Sequence, residues 1–194
     1  MRIVLLGAPG SGKGTQAALL EKKLGVPHIS TGVLFREAVR AQTPLGKQVK
    51  SILDRGELVP DDLTLGLLEE RMRKTDARKG FILDGYPRNL AQAEALDGLM
   101  ERLGRPVQEA IQIDVDTGEV VERIARRAAE EGRSDDNEEV VRKRMRIYEE
   151  QTAPVADYYE DRGLLTRVLG TGSIEEVLEL ILSVLDQGAA ERSA

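Results

Sequence analysis

Gly7-Ala8-Pro9-Gly10-Ser11-Gly12-Lys13-Gly14-Thr15 places a lysine among closely spaced glycines, directly after the apolar run Ile3-Val4-Leu5-Leu6. Glycines let a backbone curl so that successive N–H groups point inward. A helix beginning at the end of the curl adds its partial positive charge, and Lys13 adds a full one. A strand, a glycine-rich turn and a helix start thus make a cradle for the β- and γ-phosphates of a nucleotide. The position after Lys13 is unusual. Such loops place Ser or Thr there to hold Mg²⁺, whereas this chain has Gly14, with Thr15 one residue later.

A second group able to do chemistry is Asp84-Gly85-Tyr86-Pro87-Arg88, which follows the apolar stretch Phe81-Ile82-Leu83. In an open α/β sheet, ligands collect at the carboxyl ends of strands. An acid there can approach Mg²⁺ and an arginine can approach phosphate. Arginines also crowd the segment holding Arg123, Arg126, Arg127, Arg133, Arg142, Arg144 and Arg146, together with Lys143. Arg123 and Arg127 are spaced i, i+4 and share a helix face, a repulsion of a few tenths of a kcal/mol that an anion between them offsets. Arg144 falls inside the apolar stripe of Val140, Val141, Ile147 and Tyr148. An inward-facing charge needs a partner, either a buried carboxylate or a nucleotide phosphate. Arg142, Lys143 and Arg146 fall off that stripe and should face solvent. His28, in or beside a strand, reads as structural.

The elements that must position these groups alternate strand and helix. Apolar runs at 2–6, 26–30, 81–83, 110–115 and 164–169 read as strands. Helices are expected over 16–24, ending at Gly25, and over 33–40 and 45–53, broken by Thr43-Pro44 and ending at Gly56. Further helices are expected from Val59-Pro60-Asp61-Asp62 to about Arg73, over 89–103, from a cap at Thr117, over 138–150 and over 174–185. Pro154 should kink the chain or split it into two helices. Segment 130–137 reads as a polar loop and 187–194 as frayed. The absence of a strand between 30 and 81 suggests a small helical lobe inserted into the sheet. The fold class is α/β, a five-stranded parallel sheet covered by helices on both faces.

Composition agrees. The chain has 194 residues, one domain by length, with 41% hydrophobic but only 3% aromatic residues, so the core should be Leu, Ile, Val and Ala. There is no cysteine, which excludes disulfides and thiolate zinc sites. No apolar run is long enough to span a bilayer, and a strand starts at once, without a signal-peptide profile, so a cytoplasmic protein without membrane partners is expected. A net charge of −6 argues against nucleic-acid binding. A local basic cluster in an acidic chain suits a small polyanion.

Taken together, Gly7 to Gln16, Ser30-Thr31-Gly32, Asp84 to Arg88 and Arg133-Ser134-Asp135-Asp136-Asn137 resemble the adenylate kinases over essentially the whole chain. That family's loop carries Gly-Thr after its lysine, which accounts for Gly14. The resemblance implies a P-loop kinase that reversibly transfers the terminal phosphoryl group of Mg-ATP to AMP, giving two ADP. It implies a core of 1–29, 60–125 and 138–194, an AMP-binding lobe of 30–59 and a short lid of 126–137 with no zinc. Donor contacts would come from Gly10, Ser11, Gly12, Lys13, Gly14, Thr15, Arg123, Arg127 and the backbone of Gly172. Acceptor contacts would come from Thr31, Gly32, Arg36, Glu57, Leu58, Val59, Gly85, Arg88, Gln92, Arg133 and Arg144.

Within that set, the resemblance implies that Arg36 and Arg88 grip the AMP phosphate. Gln92 and the backbone near Val59 would read its adenine, and Arg123 would pack on the ATP adenine. Lys13, Arg88, Arg127, Arg133 and Arg144 would carry catalysis, with Asp84 reaching Mg²⁺ through water. Phosphoryl transfer is accelerated chiefly by positioning and by neutralising oxygens, and the acceptor phosphate is already an anion, so no general base is needed. The partners would be ATP, AMP and ADP, with the protein a monomer. Two departures from the family pattern are Val33, where many relatives carry aspartate, and Tyr86, where phenylalanine is usual. UMP/CMP kinases share the loop and the Pro-Arg motif but tend to carry alanine and asparagine where this chain has Thr31 and Gln92. A non-catalytic adenine-nucleotide sensor is the alternative from another class.

Overall fold

The structure is a computed structural model that describes residues 1–131 and 137–191. It opens with β1 (Arg2–Leu6), α1 (Lys13–Leu24), β2 (His28–Ser30), α2 (Thr31–Arg40), α3 (Pro44–Asp54) and α4 (Asp61–Met72). It continues with β3 (Phe81–Asp84), α5 (Leu90–Arg102), β4 (Glu109–Asp114), α6 (Thr117–Glu131) and α7 (Glu138–Ile147). A π-helical turn, Tyr148–Thr152, then leads to α8 (Pro154–Glu160), β5 (Leu165–Leu169) and α9 (Ile174–Glu191). The strands form one parallel sheet in the order β2-β3-β1-β4-β5. Leu5 pairs with Asp84 on one side of β1 and with Ile111 on the other, so the loop after β1 and the loop after β3 leave the same sheet edge together.

Strand periodicity explains why the strands read as continuous apolar runs. In β1, Val4 and Leu6 face a layer made with Leu68 and Met72 of α4, Leu96 of α5 and Tyr159 of α8. Ile3 and Leu5 face the opposite layer, with Ala17 and Leu20 of α1 and Ile181 of α9. A parallel sheet with both faces covered needs apolar residues at consecutive positions. The core is not purely aliphatic, as composition had suggested: Tyr86, Tyr159 and Phe81 are its largest fully buried side chains. Few aromatics in the chain did not mean few aromatics inside.

Between β2 and β3, helices α2 and α3 pack on each other around Phe35, Val49 and Val59, a cluster separate from the two sheet layers. Their starts follow capping chemistry. Ser30 accepts from the Val33 N–H at 3.4 Å, and Thr43 accepts from the Gly46 N–H at 3.0 Å with Pro44 in the first turn.

Some boundaries differ from expectation. Helix α1 begins at Lys13, because the last loop residues form its first turn. Asp116, where Thr117 was expected, caps α6: its carboxylate accepts from the Gly118 N–H at 2.8 Å and its carbonyl from the Val120 N–H at 3.0 Å. Helix α9 continues through the segment expected to fray as far as Glu191, where Ala189 and Ala190 favour helix. Pro154 does split its helix in two.

Candidate active site

The loops at the carboxyl edge of β1 and β3 open onto a cavity of about 830 Å³. Its floor is the Gly7–Thr15 loop. Gly10 has φ of +85°, and a Cβ there would lie 2.7 Å from Ile124 Cγ1, so both backbone conformation and close packing against α6 require glycine. Gly12 starts α1 in the left-handed conformation with no side-chain cap, and no acid sits in the first turn. The helix N-terminus therefore faces the cavity with no acid of its own in its first turn, an arrangement that attracts phosphate.

Lys13 folds back over this loop. Its ammonium donates to the carbonyls of Gly7 and Ala8, each at 2.7 Å, and to Ser11 Oγ at 3.3 Å. Desolvation pushes its pKa down to about 8, helped by the positive charges of Arg88, Arg144 and Arg127, with Asp84 opposing. These cations come from different parts of the chain: Arg88 from the loop after β3, Arg127 from α6 and Arg144 from α7. All line the cavity with Lys13. Arg144, the inward-facing charge of α7, thus lines the same cavity as the phosphate loop.

Asp84 stands at the end of β3, with its Oδ2 3.7 Å from where a Cβ on Gly14 would sit. Burial pushes its carboxyl up, but contact with His28 and the charges of Lys13 and Arg88 outweigh this and hold it below the usual carboxylate range. His28 Nε2 lies 3.5 Å from Asp84 Oδ2 and the residue lines the cavity, so His28 belongs to the site's wall and is not merely a strand residue. Among the described residues, no group of three or more His, Cys, Asp or Glu could hold a metal ion by itself. A lone ionised carboxylate beside a phosphate loop fits an ion that keeps most of its waters and takes phosphate oxygens as ligands.

Where α6 meets the cavity, Arg123 ties three segments together. It donates to the Gly170 carbonyl at 2.7 Å and the Ser11 carbonyl at 3.3 Å, and pairs with Glu119. Gly172 has φ of +108° and lines the cavity just before the reciprocal cap of α9, in which the Ser173 N–H donates to Glu176 at 2.8 Å. At the other end lie Gly32, Arg36, Leu58, Gly85 and Arg88. Gly85 has φ of +77°, and a Cβ there would crowd Thr31 Oγ1 at 3.1 Å and Arg88 Nη2 at 3.2 Å.

Several expected contacts stand behind this wall instead of in it. Thr31 is buried and donates to the Gly85 carbonyl at 2.8 Å. Gln92 is 2% exposed; its Oε1 accepts from the Arg88 N–H at 2.7 Å and its Nε2 donates to Asp61 at 2.7 Å. Val59 is buried in the cluster around Phe35. Glu57 is engaged by Arg55 and by Lys143 Nζ at 2.7 Å, which hold its pKa down to about 2. Lys143 is therefore not simply solvent-facing; it reaches from α7 to the loop after α3. Arg142 and Arg146 are exposed as expected. Arg133 lies outside the described residues.

Asp61, Thr152, His28 and Lys143 carry such contacts without having been legible as site residues, since each acts across more than thirty residues of sequence. A carboxylate in the first turn of α4, for instance, reads from sequence as a helix-dipole residue only.

Residues 5–164 match the family model described as Adenylate kinase. The chain belongs to the adenylate kinase family. It is 54% identical over 185 residues to an adenylate kinase of Stenotrophomonas maltophilia (strain R551-3), covering 95% of this chain and 99% of that one. It is 56% identical over 185 residues to one from Xanthomonas axonopodis pv. citri (strain 306), with the same coverage. Identity is also 56%, over 181 residues, to one from Xanthomonas campestris pv. campestris (strain 8004), covering 93% of this chain and 97% of that one. Among the described residues, no helix is long and apolar enough to cross a membrane.

Proposed function

We propose that the adenylate kinase reaction, reversible transfer of the terminal phosphoryl group of ATP to AMP to give two ADP, runs in this one cavity between a donor end at Lys13 and an acceptor end at Arg88. The observation that carries this reading is the convergence of Lys13, Arg88, Arg127 and Arg144 on a single space, close enough that the arginines depress the lysine's pKa. Like charges so placed are stabilised by a polyanion between them. A phosphoryl group in transfer carries its charge on oxygens facing all of them.

The amides of Gly10, Ser11, Gly12, Gly14 and Thr15 hold the donor phosphates, and Lys13 leaves its loop carbonyls to pair with them. Arg123 and the Gly172 backbone flank the donor base. Arg36, Arg88, Gly32 and Gly85 hold the acceptor phosphate. Leu58 lines the acceptor pocket, and Thr31, Glu57, Val59 and Gln92 shape it from behind. An oxygen of the AMP phosphate attacks the terminal phosphorus, and the bond from that phosphorus to its bridging oxygen breaks. ADP leaves with the electron pair while Arg127, Arg133 and Arg144 stabilise the moving charge. Mg²⁺ bound with ATP supplies further neutralisation and orientation, and Asp84 is the residue that would hold it through water. Segments 30–59 and 126–137 are the closing elements that exclude water as a competing acceptor. We read the protein as a cytoplasmic monomer with ATP, AMP and ADP as its partners.

Separating the two ends kinetically tests this assignment. Arg127→Gln is expected to lower kcat by about 10²- to 10³-fold. Arg36→Lys is expected to raise KM for AMP with KM for ATP little changed. An Arg36→Lys effect falling equally on both substrates would contradict a distinct acceptor end.

A further inference from the structure

The π-helical turn between α7 and α8 brings Thr152 to a place an ordinary helix would deny it. In an uninterrupted α-helix at ~100° per residue, position 151 stands about 20° from the face of Arg144, and position 152 about 80° away. Here the Ala153 N–H reaches the Tyr148 carbonyl at 2.8 Å, an i→i+5 bond that inserts one residue into the turn. Thr152 then takes the angular place that Gln151 would have held. The burial pattern agrees: Gln151 is exposed, whereas Thr152 lines the cavity beside Arg144 and Tyr148. Pro154 gives a reason for the wide turn, since it offers no N–H and its ring would crowd the Glu150 carbonyl of a regular helix.

Once there, the Thr152 hydroxyl donates to the Arg88 carbonyl at 2.8 Å. The Arg88 N–H is held by Gln92 at 2.7 Å, and its Nε donates to the Gly85 carbonyl at 2.8 Å. The residue is thus gripped at its N–H, its carbonyl and its side chain. The carbonyl grip comes from the π-helical turn after α7, sixty-four positions along the chain.

We propose that Thr152 is a positioning residue for the acceptor-phosphate site, and that the π turn exists in this chain to deliver it. Its hydroxyl sets the Arg88 backbone relative to the helix that carries Arg144, so the arginine meeting the acceptor phosphate keeps its register with the one meeting the transferring group. The proposal rests on the reading that Arg88 holds the acceptor phosphate.

The test compares T152V, T152S, R88K and the double variant T152V/R88K by steady-state kinetics, with thermal unfolding as a check on folding. T152V, of nearly the same shape but without a donor, is expected to raise KM for AMP about three- to tenfold, the range of one lost net hydrogen bond. KM for ATP should stay within about twofold, and T152S should restore the wild-type value if one hydroxyl bond is the whole effect. On the R88K background, T152V should add less than about twofold, because the residue it positions has already been altered. An unchanged KM for AMP in T152V, an equal rise for both substrates, or a full additional penalty on the R88K background would each overturn the proposal. If R88K itself leaves KM for AMP unchanged, the acceptor-site reading fails and takes this proposal with it. If R88K raises it and T152V does not, only the role of Thr152 fails. Should T152V not fold, the T152S and T152A pair decides by the same ratio of substrates.

Discussion

Lys13 sits in the free protein with its ammonium bonded to loop carbonyls and with three arginines facing it, and its pKa is lowered to about 8. Donor phosphates reverse that situation by supplying negative charge where there was positive. The bound lysine is therefore protonated well above pH 8, and binding takes up a proton wherever the free lysine has lost one. From a free pKa of about 8, uptake per ATP bound should be ~0.1 proton at pH 7, ~0.5 at pH 8 and ~0.9 at pH 9. Affinity should correspondingly fall about tenfold, or ~1.4 kcal/mol, between pH 7 and pH 9.

Stability of the free protein moves the other way. Because the folded pKa lies below the unfolded one, the unfolded chain holds more protons between about pH 8 and 10.5, and the Lys13 contribution to stability rises across that window. The assay is calorimetric titration of ATP with AMP absent, in buffers of different ionisation enthalpy, from pH 8 to 9.5, where the nucleotide phosphates are already ionised. Lys13→Arg, which keeps the charge at every pH used, should abolish the proton uptake even if it weakens binding. Affinity flat within about twofold over that range, with no buffer-dependent heat, would refute the reasoning that ties this lysine's desolvation to phosphate binding.

Other positions yield sharp expectations. Tyr86→Phe should be neutral or stabilise by up to about 1 kcal/mol in chemical denaturation, since its buried hydroxyl has no hydrogen-bond partner among the described residues. Leu68→Ala, in the layer shared by β1, α4 and α5, should cost about 2–5 kcal/mol in the same measurement. Gly10→Ala forces a side chain into positive φ and against Ile124, so ATP affinity measured calorimetrically should drop by at least about tenfold, with a melting temperature lowered by several degrees.

Much of this architecture can be read along the chain because its signals are local. The phosphate loop, the strand ends and the alternation of strands with helices each follow from a few adjacent residues, and Arg144 betrays its inward direction, into the cavity, by its place on an apolar stripe. What escapes reading is whatever depends on who lies opposite. Nothing near His28 announces that β2 and β3 pair so as to set it beside Asp84. Lys143 looks solvated until the loop after α3 brings Glu57 to it. Pro154 announces a break in its helix but not that the break would be a π turn turning Thr152 inward. Gln92 and Thr31 carry the resemblance to AMP-binding residues, yet both stand behind the cavity wall, committed to holding Arg88 and Gly85.

The central claim is that one cavity joins an ATP site to a site shaped for AMP, and the most direct measurement is ADP formation by purified protein supplied with Mg-ATP and, separately, AMP, CMP, UMP or GMP. The account predicts strong turnover with AMP and at most weak turnover with the other three. Preference for a pyrimidine acceptor would contradict the reading of the acceptor end while leaving the fold intact. ATP binding without turnover on any of the four would contradict the phosphoryl-transfer account itself.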